Sequence, residues 1–507
     1  MRYGFVIDQN RCIGCHACTV ACKAEHNIPV GVNRTWVKYI EKGHYPQTQR
    51  HFAVLRCNHC DDAPCIEICP TVALFRRPDG IVDFDSARCI GCKSCMQACP
   101  YDALYIDPGS DTAAKCNFDA SRVELGYKPA CEIVCPTQAI LSGDLDDPAS
   151  EISQRIATEE VTVRKPEKAT RPKLFYVGVD PDLLRPTMMA SQPAHLWAEK
   201  QPGEDLYGLE RDSAGGQSPE EANEVYDVFH ATPWGKRIAS YLWAKSIAAG
   251  VLLIAVLLLN MGYDHEVLLW SVASPILALL FLAITMLLLI LDLKRRGRFL
   301  YILIKPNFNS WLVLGSYILV VYGILAAAWL AQGLTKGAIA PLLLWPTALF
   351  ALASAGYSAF LFEQAKGRDL WQSPLLFWLL LIQALAAGAA SLILIAPLIG
   401  VSLELFVLLG QFLLVSLLLM LAMIVSEISL ARGNEELLRA KTLLTKGALR
   451  KQFWIFVVVM GIFVPLALLL WPIVLLWFYL GAALLALVGL WFYENLWIKA
   501  GQAVPLS

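Results

Sequence analysis

The second half of the chain is almost continuously apolar, whereas the first half mixes polar and apolar residues. From Arg237 onward, eight apolar stretches follow one another, separated by short and mostly basic loops. A helix of about 20 residues crosses a hydrocarbon core of about 30 Å, so the pattern predicts an all-α bundle of eight transmembrane helices. The expected spans are 239–261, 266–291, 309–332, 338–362, 373–397, 401–430, 452–471 and 472–497.

The boundary between the last two expected spans rests on one step in the sequence, Trp471-Pro472. If that step lies within one long element, the bundle has seven spans. The C-terminus then lies on the other side of the membrane.

The composition agrees with a division of the chain between lipid and water. Of 507 residues, 56% are hydrophobic and 17% are charged, against an apolar share of about 45–50% in ordinary soluble domains. We expect a soluble domain over residues 1–145 and a membrane domain over 236–498. Residues 146–235, rich in charge and proline and without a long periodic segment, are expected to be a linker draped on the soluble domain.

The loops on one side of the expected membrane carry nearly all of the positive charge. Since cytoplasmic loops are rich in Lys and Arg, the N-terminal domain, which lies on the basic side, is expected to face the cytoplasm. Residues 1–8 contain neither a secretory apolar run nor a twin arginine, so we expect no export signal. The opposite side shows only Lys336. The basic side carries Lys294, Arg295, Arg296, Arg298, Lys305, Lys366, Arg368, Arg432, Arg439, Lys441, Lys446, Arg450, Lys451 and Lys499.

All 15 cysteines lie between Cys12 and Cys135, and they form four groups. An odd number argues against a closed disulfide framework. The third group has the C-x2-C-x2-C-x3-C-P spacing that holds a [4Fe–4S] cluster and gives its last thiolate to a second one, whereas zinc sites pair two knuckles over a longer spacer. The groups are Cys12, Cys15, Cys18 and Cys22; Cys57, Cys60, Cys65 and Cys69; Cys89, Cys92, Cys95 and Cys99; and Cys116, Cys131 and Cys135.

The fourth group lacks one cysteine, and Asp119 stands where the motif would supply it. Four groups imply four iron–sulfur clusters, which form a chain of redox centres. A carboxylate is a harder and weaker iron ligand than a thiolate, so three alternatives stay open. Asp119 ligates a [4Fe–4S] cluster, or the cluster is [3Fe–4S], or the side chain of Asp119 points to water.

The cysteine pattern resembles the four-cluster electron-transfer subunit of molybdopterin oxidoreductases of the dimethyl sulfoxide reductase family. That resemblance implies an α+β, ferredoxin-like double [4Fe–4S] domain and a separate catalytic subunit that carries molybdopterin and its own Fe–S cluster. It also implies how the groups pair into four sites, from the catalytic subunit to the membrane. Site 1 is Cys12, Cys15, Cys18 and Cys135; site 2 is Cys22, Cys116 and Cys131 with Asp119; site 3 is Cys57, Cys60, Cys65 and Cys99; site 4 is Cys69, Cys89, Cys92 and Cys95.

The membrane half resembles the eight-helix, polysulfide-reductase-type quinone-binding anchor. The resemblance rests on Pro233-Trp234-Gly235, on the segment from Asp292 to Arg298, and on Arg368-Asp-Leu-Trp371. It implies that Tyr241 and Tyr357 bind the head of menaquinone or ubiquinone, the alternative being that both belong to an interfacial aromatic belt. No span contains paired histidines for a bis-His haem, so we expect no haem.

Four ionisable residues lie within or at the ends of the expected spans: Lys245, Asp292, Glu363 and Glu427. Such residues are costly in lipid and usually functional, and quinone chemistry exchanges protons, so they form a candidate proton route. The alternative is that Asp292 and Glu363 pair with the neighbouring Arg298 and Arg368 and carry no protons.

Together these features predict the electron-transfer and membrane-anchor subunit of a quinone-linked molybdopterin oxidoreductase. The absent export signal favours the sulfite:quinone type, and a polysulfide, thiosulfate or dimethyl sulfoxide reductase anchor that oxidises quinol is the alternative. A subunit of an assembly like alternative complex III is a further alternative. No basic patch with interleaved aromatic residues suggests a nucleic-acid partner.

Overall fold

A computed structural model describes residues 1–43, 46–185, 190–191, 222–337, 339–429 and 434–507. It divides into an N-terminal α+β domain and a C-terminal helical bundle, as predicted. The strands are β1 Tyr3–Asp8, β2 Thr35–Lys42, β3 Gln49–Arg56, β4 Leu74–Arg76, β5 Val82–Phe84, β6 Leu104–Ile106, β7 Ala113–Lys115, β8 Ile140–Asp144, β9 Val161–Thr162, β10 Leu174–Val177, β11 Ala190–Ser191 and β12 Asn223–Tyr226.

Two four-stranded sheets and two short hairpins make up the strand structure of the N-terminal domain. The first sheet has the order β8-β1-β10-β9 and the second has the order β11-β12-β2-β3, while β4 pairs with β5 and β6 with β7. The short helices between the strands carry or adjoin the cysteines. They are α1 Ala17–His26, α2 Pro64–Glu67, α3 Ser94–Ala98, α4 Ala120–Glu124, α5 Ala130–Ile133, α6 Glu151–Thr158 and α7 Pro181–Leu184.

Part of the stretch expected to be a linker contributes to the first sheet. Strand β10 pairs in parallel with β1, with Phe5 opposite Leu174, and both side chains are buried. The strand was hard to predict, because four residues are too few for a periodic pattern to stand out. Residues 186–189 and 192–221 of the same stretch lie outside the described residues, and the division of the chain into domains stays a prediction.

The described part of the chain contains eight helices that are long and apolar enough to cross a membrane. Spans 7 and 8 are separate helices, because residues 470–475 between them are not helical. The expected start of span 4 at 338, the expected end of span 6 at 430, and Arg432 lie outside the described residues. The spans are span 1 Lys236–Asn260, span 2 Leu269–Asp292, span 3 Trp311–Lys336, span 4 Pro341–Glu363, span 5 Leu376–Ile399, span 6 Leu403–Ser429, span 7 Arg450–Leu469 and span 8 Leu476–Ala503.

Spans 1 and 5 approach each other closely at the centre of the bundle. A Cβ added to Gly250 would lie 1.7 Å from the carbonyl oxygen of Ala384, and one added to Gly388 would lie 2.2 Å from the carbonyl carbon of Gly250. Small residues that let backbones meet are typical of helix contacts in membranes. Span 1 is therefore held in the middle of the bundle, with the side chains of Tyr241 and Lys245 buried. Two short helices, Tyr301–Ile304 and Glu435–Thr445, lie in the loops after spans 2 and 6.

Candidate functional site

The cysteines of sites 3 and 4 surround two separate cavities in the N-terminal domain. One cavity is lined by Cys57, Cys60, Cys65 and Cys99. The other is lined by Cys69, Cys89, Cys92 and Cys95. In each cavity the structure brings together three cysteines of one sequence group with one cysteine of the other. This is the grouping that the resemblance implied.

Sites 1 and 2 have the same crossed arrangement. The thiol of Cys12 lies within electrostatic range of Cys15 and Cys135. The thiol of Cys22 lies within range of Cys116 and Cys131 and of the Asp119 carboxylate. The last cysteine of the first group has thus crossed to the fourth group, and the last of the fourth group has crossed to the first.

The four sites follow one another in a row, because each has a cysteine within electrostatic range of the next site. Cys18 of site 1 faces Cys131 of site 2, and Cys116 of site 2 faces Cys57 of site 3. Cys95 of site 4 faces Cys65 of site 3. Redox centres held at these four sites would therefore be neighbours in the order from 1 to 4.

The side chains present at the four sites fit iron–sulfur clusters. All 15 cysteines are free thiols. Among the described residues, no three His, Cys, Asp or Glu side chains converge on a single metal ion, whereas the cysteines line cavities suited to a larger inorganic group. Backbone amides also point at the sulfur atoms, as from Gly91 to the Sγ of Cys89 at 3.4 Å and from Ala139 to the Sγ of Cys135 at 3.2 Å.

Burial alone would keep these thiols protonated. It raises the pKa of Cys65 and Cys95 well above the ordinary value for a thiol. Since a coordinated thiol is deprotonated by the metal itself, the buried thiols are suited to bind a positively charged iron core rather than to act as free nucleophiles.

The side chain of Asp119 is buried and does not point to water, so the solvent-facing alternative is wrong. Its Oδ1 lies 2.5 Å from Nε2 of His26, and its Oδ2 accepts a hydrogen bond of 2.8 Å from the amide of Ala130. Burial raises the pKa of Asp119, but these two hydrogen bonds and the nearby charge of Arg56 outweigh it and hold the pKa below its usual value. The group at the fourth position of site 2 is therefore an ionised carboxylate with both oxygens engaged.

Site 4 lies against the membrane bundle and is held there by contacts to backbone carbonyls. In the loop after span 2, Nδ2 of Asn307 donates to the oxygen of Cys69 at 2.8 Å and Nη1 of Arg298 donates to the oxygen of Cys89 at 3.0 Å. Just before span 1, Nε1 of Trp234 donates to the oxygen of Cys92 at 3.4 Å. The loops of the bundle thus fix the segments that carry the ligands of site 4.

A cavity at the junction of the two domains reaches from Cys92 into the bundle. Its walls include Tyr241 of span 1, Asp292 at the end of span 2 and Tyr357 of span 4. Most of the remaining wall is apolar, with Leu and Ile from spans 2, 3 and 4 and from the loop between spans 2 and 3. Such a mostly apolar cavity with a few converging polar groups is typical of a small-molecule site.

Lys245 lies next to Tyr357, one of the wall residues of this cavity, and is fully buried. Its Nζ donates to the Oγ of Ser358 at 2.8 Å and to the carbonyl oxygen of Ala355 at 2.9 Å, and it lies 4.7 Å from the centre of the Tyr357 ring. The hydroxyls of Tyr241 and Ser358 are 3.5 Å apart. Lys245 is thereby connected to both tyrosines that were expected to bind quinone.

Two ionisable residues at the site were missed in the sequence analysis. Glu494 of span 8 is 1% exposed, lies within electrostatic range of Lys245, and has an Oε1 without a hydrogen-bond partner. Lys93, next to the site 4 ligand Cys92, forms an ion pair of 2.7 Å with Asp292. Glu494 could have been found, because a carboxylate inside an apolar span is itself a signal. The partner of Asp292 depends on how the domains dock.

The alternative in which Asp292 and Glu363 pair with Arg298 and Arg368 is wrong, because both arginines have other partners. Arg298 binds the carbonyl oxygens of Ser86 and Cys89, and Arg368 binds the side chain of Gln97 and carbonyl oxygens near the C-terminus. Arg298 thus binds carbonyl oxygens of the Fe–S domain, and Arg368 binds carbonyl oxygens near the C-terminus, instead of a neighbouring carboxylate. Glu363 is exposed at the end of span 4 and does not line the cavity.

Glu427 stands apart from the cavity, on the side of the bundle that carries the N-terminal domain. Its Oε1 is buried without a hydrogen-bond partner, and its carboxylate lies near Ser373 and Lys441. Tyr493 lies within electrostatic range of both Glu427 and Glu494. Of the four ionisable residues expected in a route, Asp292 lines the cavity, Lys245 contacts the ring of Tyr357 in its wall, and Glu427 lies within electrostatic range of Tyr493.

Comparison with known families accounts for both halves of the chain. A family model described as a 4Fe-4S dicluster domain matches residues 48–145, and one described as a 4Fe-4S binding domain matches residues 3–24. A model described as polysulphide reductase, NrfD, matches residues 224–505. This protein belongs to the NrfD polysulphide reductase family. The NrfD domain and its eight apolar helices make it a multi-pass membrane protein, and it carries iron–sulfur domains of the 4Fe-4S type at its N-terminus.

Three relatives of this NrfD-family protein are named as components of sulfur-compound reductases. A tetrathionate reductase subunit of Salmonella typhimurium is 44% identical over 202 residues, which are 39% of this protein and 80% of the relative. A polysulfide reductase chain of Wolinella succinogenes is 41% identical over 181 residues, or 35% and 94%. The thiosulfate reductase electron transfer subunit PhsB of Salmonella typhi is 44% identical over 163 residues, or 32% and 84%. The protein is accordingly an electron-transfer type of oxidoreductase subunit.

Proposed function

We propose that this protein carries electrons between a molybdopterin-bearing catalytic subunit and the quinone pool, and that the complex is of the sulfite:quinone type. The observation that carries the proposal is the cavity shared by Cys92, Tyr241, Asp292 and Tyr357. A ligand of the last cluster site and the polar groups of a membrane-embedded pocket thereby face the same space. Iron–sulfur clusters, when bound, supply one-electron transfer along the four sites.

The proposed cofactors follow from the four sites and the cavity. Sites 1, 3 and 4 would each hold a [4Fe–4S] cluster, and site 2 would hold a [4Fe–4S] or a [3Fe–4S] cluster beside Asp119. The quinone would be menaquinone or ubiquinone. The proposed domains are 1–145 for the clusters and 236–498 for the quinone-binding anchor, with 146–235 between them.

The surface around site 1 is suited to receive the catalytic subunit, which would bring its own Fe–S cluster. Cys15 is exposed, and so are several apolar side chains next to the ligands, among them Ile13, Val20, Ile133 and Val134. Exposed apolar patches of this kind often mark protein interfaces. A partner docked there would place its redox centre next to site 1, at the far end of the row from the membrane.

Within the cavity, the protein's own side chains would orient the quinone head and exchange its protons. The hydroxyl groups of Tyr241 and Tyr357 are proposed to hydrogen-bond to the quinone oxygens. Lys245 is proposed to hand protons to this pair through Ser358, and Asp292 from the other wall. Glu427, Tyr493 and Glu494 extend the proposed route to the side of the Fe–S domain. Glu363 is exposed and does not line the cavity.

The Fe–S domain is proposed to face the cytoplasm, on the evidence of the basic loops. This orientation favours the sulfite:quinone type, in which electrons enter at site 1 and leave at the cavity. The second candidate is a quinol-oxidising reductase of a sulfur compound. The names of the relatives, which include tetrathionate, polysulfide and thiosulfate reductases, favour this second candidate.

The quinone site can be tested by replacing Tyr241 with phenylalanine. Losing one hydrogen bond of about 1 kcal/mol is expected to weaken binding of a quinol analogue roughly fivefold. The control is Tyr322→Phe, which removes an equally buried hydroxyl that donates to Ala248 elsewhere in the bundle. Equal binding by Tyr241→Phe and the unaltered protein would contradict the proposed role.

The partner and direction can be tested by gentle purification in detergent. A companion subunit with molybdenum or tungsten and without a twin-arginine signal is expected for the sulfite:quinone type. A companion with that signal would favour the outward-facing reductase instead. Haem proteins in place of a metal–pterin subunit would contradict both.

A further inference from the structure

Arg56 is a fully buried cation that the proposed function does not use. It ends strand β3, is 0% exposed, and its guanidinium lies 4.5 Å from the centre of the Phe5 ring. Its Nη1 donates to the Sγ of Cys131 at 3.0 Å, while its Nε and Nη2 have no hydrogen-bond partner. Among the described residues, none of the ion pairs involves Arg56.

An arginine in this environment needs an anion, and its hydrogen bond to a ligand cysteine shows where that anion lies. An isolated buried charge is strongly unfavourable unless it is paired, and arginine does not lose its proton in proteins. The guanidinium lies within electrostatic range of Cys18 in site 1 and of Cys116 and Cys131 in site 2. The Asp119 carboxylate of site 2 is also within range, but without an ion pair to Arg56. Arg56 therefore lies between the first two sites.

Lys115 occupies the equivalent position between sites 2 and 3. It ends strand β7 and is 0% exposed. Its Nζ donates to the carbonyl oxygens of Val82 and Cys116, and it lies within electrostatic range of Cys65 in site 3. Carbonyl oxygens satisfy its donors without cancelling its charge, and no ion pair of Lys115 occurs among the described residues.

The lysine beside site 4 differs from Arg56 and Lys115, because it has an ion-pair partner. Lys93 follows the ligand Cys92 directly, and its Nζ is 2.7 Å from a carboxylate oxygen of Asp292. Both side chains are about nine-tenths buried, with 8% and 10% of their surface exposed. Asp292 therefore offsets the charge of Lys93, and Arg298, the other cation that contacts a site 4 residue, is only partly buried and so is better screened by solvent. Arg56 and Lys115, in contrast, are fully buried and have no ion-pair partner among the described residues.

We propose that Arg56 and Lys115 are positioning charges that raise the reduction potentials of the clusters on either side of them. Adding an electron makes a thiolate-ligated cluster more negative, so a fixed cation nearby favours the reduced form. Site 2 lies between the two cations, so both raise its reduction potential. The potentials of sites 1 and 3 are each raised by one of the two, and that of site 4 by neither. The inference rests on the four-cluster arrangement of the proposed function.

The arrangement also offsets repulsion between neighbouring sites. An electron at one site raises the cost of a second electron at the next, and burial strengthens that repulsion because the local dielectric is low. Arg56 and Lys115 lie in the two gaps where this repulsion acts. They would therefore let sites 1, 2 and 3 hold electrons at the same time.

The test is a redox titration followed by electron paramagnetic resonance on the full-length protein, purified with its clusters. In Arg56→Gln, the midpoint potentials of two signals are expected to fall by 59 mV or more, a tenfold shift of the reduced-to-oxidised ratio for a one-electron couple. In Lys115→Met, two signals are again expected to fall, one of them shared with Arg56→Gln. The signal of site 4 should stay unchanged in both variants.

The conservative variants Arg56→Lys and Lys115→Arg keep the charge and serve as controls, with potentials expected near those of the unaltered protein. Unchanged potentials in both neutral variants, equal shifts of every signal, or shifts as large in the conservative variants would overturn the inference. If Arg56→Gln loses iron, the midpoint potentials of Lys115→Met and Lys115→Arg decide whether a buried cation shifts the neighbouring clusters. Iron and sulfide analysis counts the clusters separately. A count below four would contradict the four-cluster arrangement of the proposed function, but it would leave the effect of each cation on its neighbouring clusters to be measured.

Discussion

Replacing Gly91 with alanine is expected to loosen the junction between the Fe–S domain and the bundle. Gly91 lies in the ligand loop of site 4 and has a φ of +68°. A Cβ at this position would lie 2.6 Å from the Cβ of Lys294 and 2.9 Å from the carbonyl oxygen of Asp111. The loop of the bundle, which donates the amide of Lys294 to the oxygen of Gly91 at 3.3 Å, would have to move away from site 4.

The loss of stability expected for Gly91→Ala has two parts, which a matched control variant separates. A side chain in the left-handed region costs about 1–2 kcal/mol, and forcing an extra methyl into a packed contact costs about 1–3 kcal/mol more. Gly126 has a φ of +80° and nothing within 4 Å of an added Cβ, so Gly126→Ala carries only the first part. The difference between the two variants, about 1–3 kcal/mol, measures the close packing of Gly91 against Lys294 of the bundle and Asp111 of the Fe–S domain.

The assay is the loss of cluster absorbance from the detergent-solubilised protein at a fixed, elevated temperature. Because unfolding of such a protein is irreversible, the half-time is the relevant measure of stability. The half-time of Gly91→Ala is expected to be at least about fivefold shorter than that of Gly126→Ala, which corresponds to about 1 kcal/mol or more. Equal half-times for the two variants would refute the role of Gly91 at the junction.

Three further predictions concern single side chains. Lys38→Met is expected to cost about 3–5 kcal/mol, because it leaves the buried carboxylate of Asp227, 3.0 Å from Nζ, unpaired. Burial raises the pKa of Asp227, but Lys38 outweighs burial and holds that pKa below its usual value. The stabilisation by this ion pair should therefore be present above about pH 4 and be lost as the pH falls through the lowered pKa. Acid-unfolding curves of the unaltered protein and of Lys38→Met test this. Asp119→Cys should give four thiolates at site 2 and an extra iron if the cluster there is [3Fe–4S]; an unchanged iron content would mean that site 2 already holds four. Glu494→Gln should slow cluster reduction by quinol at least tenfold in a stopped-flow assay without weakening quinol binding, whereas Glu404→Gln, at the far end of span 6, should leave the rate unchanged; equal rates would exclude Glu494 from proton transfer.

The cysteine groups were the most predictable part of the protein, because cluster binding requires cysteines at fixed intervals along the chain. The run from Cys89 to Cys99 can wrap a cluster only if its residues stand at fixed intervals, so the sequence alone identifies it. The eight spans were predictable for a similar reason, since the thickness of a bilayer sets their length. Only the break between spans 7 and 8 needed the structure, which shows residues 470–475 outside helices.

The contacts between distant segments could not be predicted. Asp292 has Arg298 six residues away along the chain, yet it pairs with Lys93, 199 positions earlier. Proximity along the chain suggests Arg298 as the partner of Asp292. In the folded protein, however, the docked Fe–S domain places Lys93 beside Asp292 and carbonyl oxygens beside Arg298. Lys245 and Glu494 lie within electrostatic range of each other for the same reason, because the packing of spans 1 and 8 decides which buried charges come close.

At the junction the bundle also binds the backbone of the residues that carry the ligands of site 4. Asn307, Arg298 and Trp234 all donate to carbonyl oxygens of ligand cysteines. A carbonyl of a ligand residue moves with its thiolate, so each such contact fixes the distance from the site to the cavity wall. A side chain would transmit that restraint through rotatable bonds. The proposed electron transfer between site 4 and the cavity depends on a short and constant distance, and the observed contacts restrain that distance at three of the four cysteines of site 4.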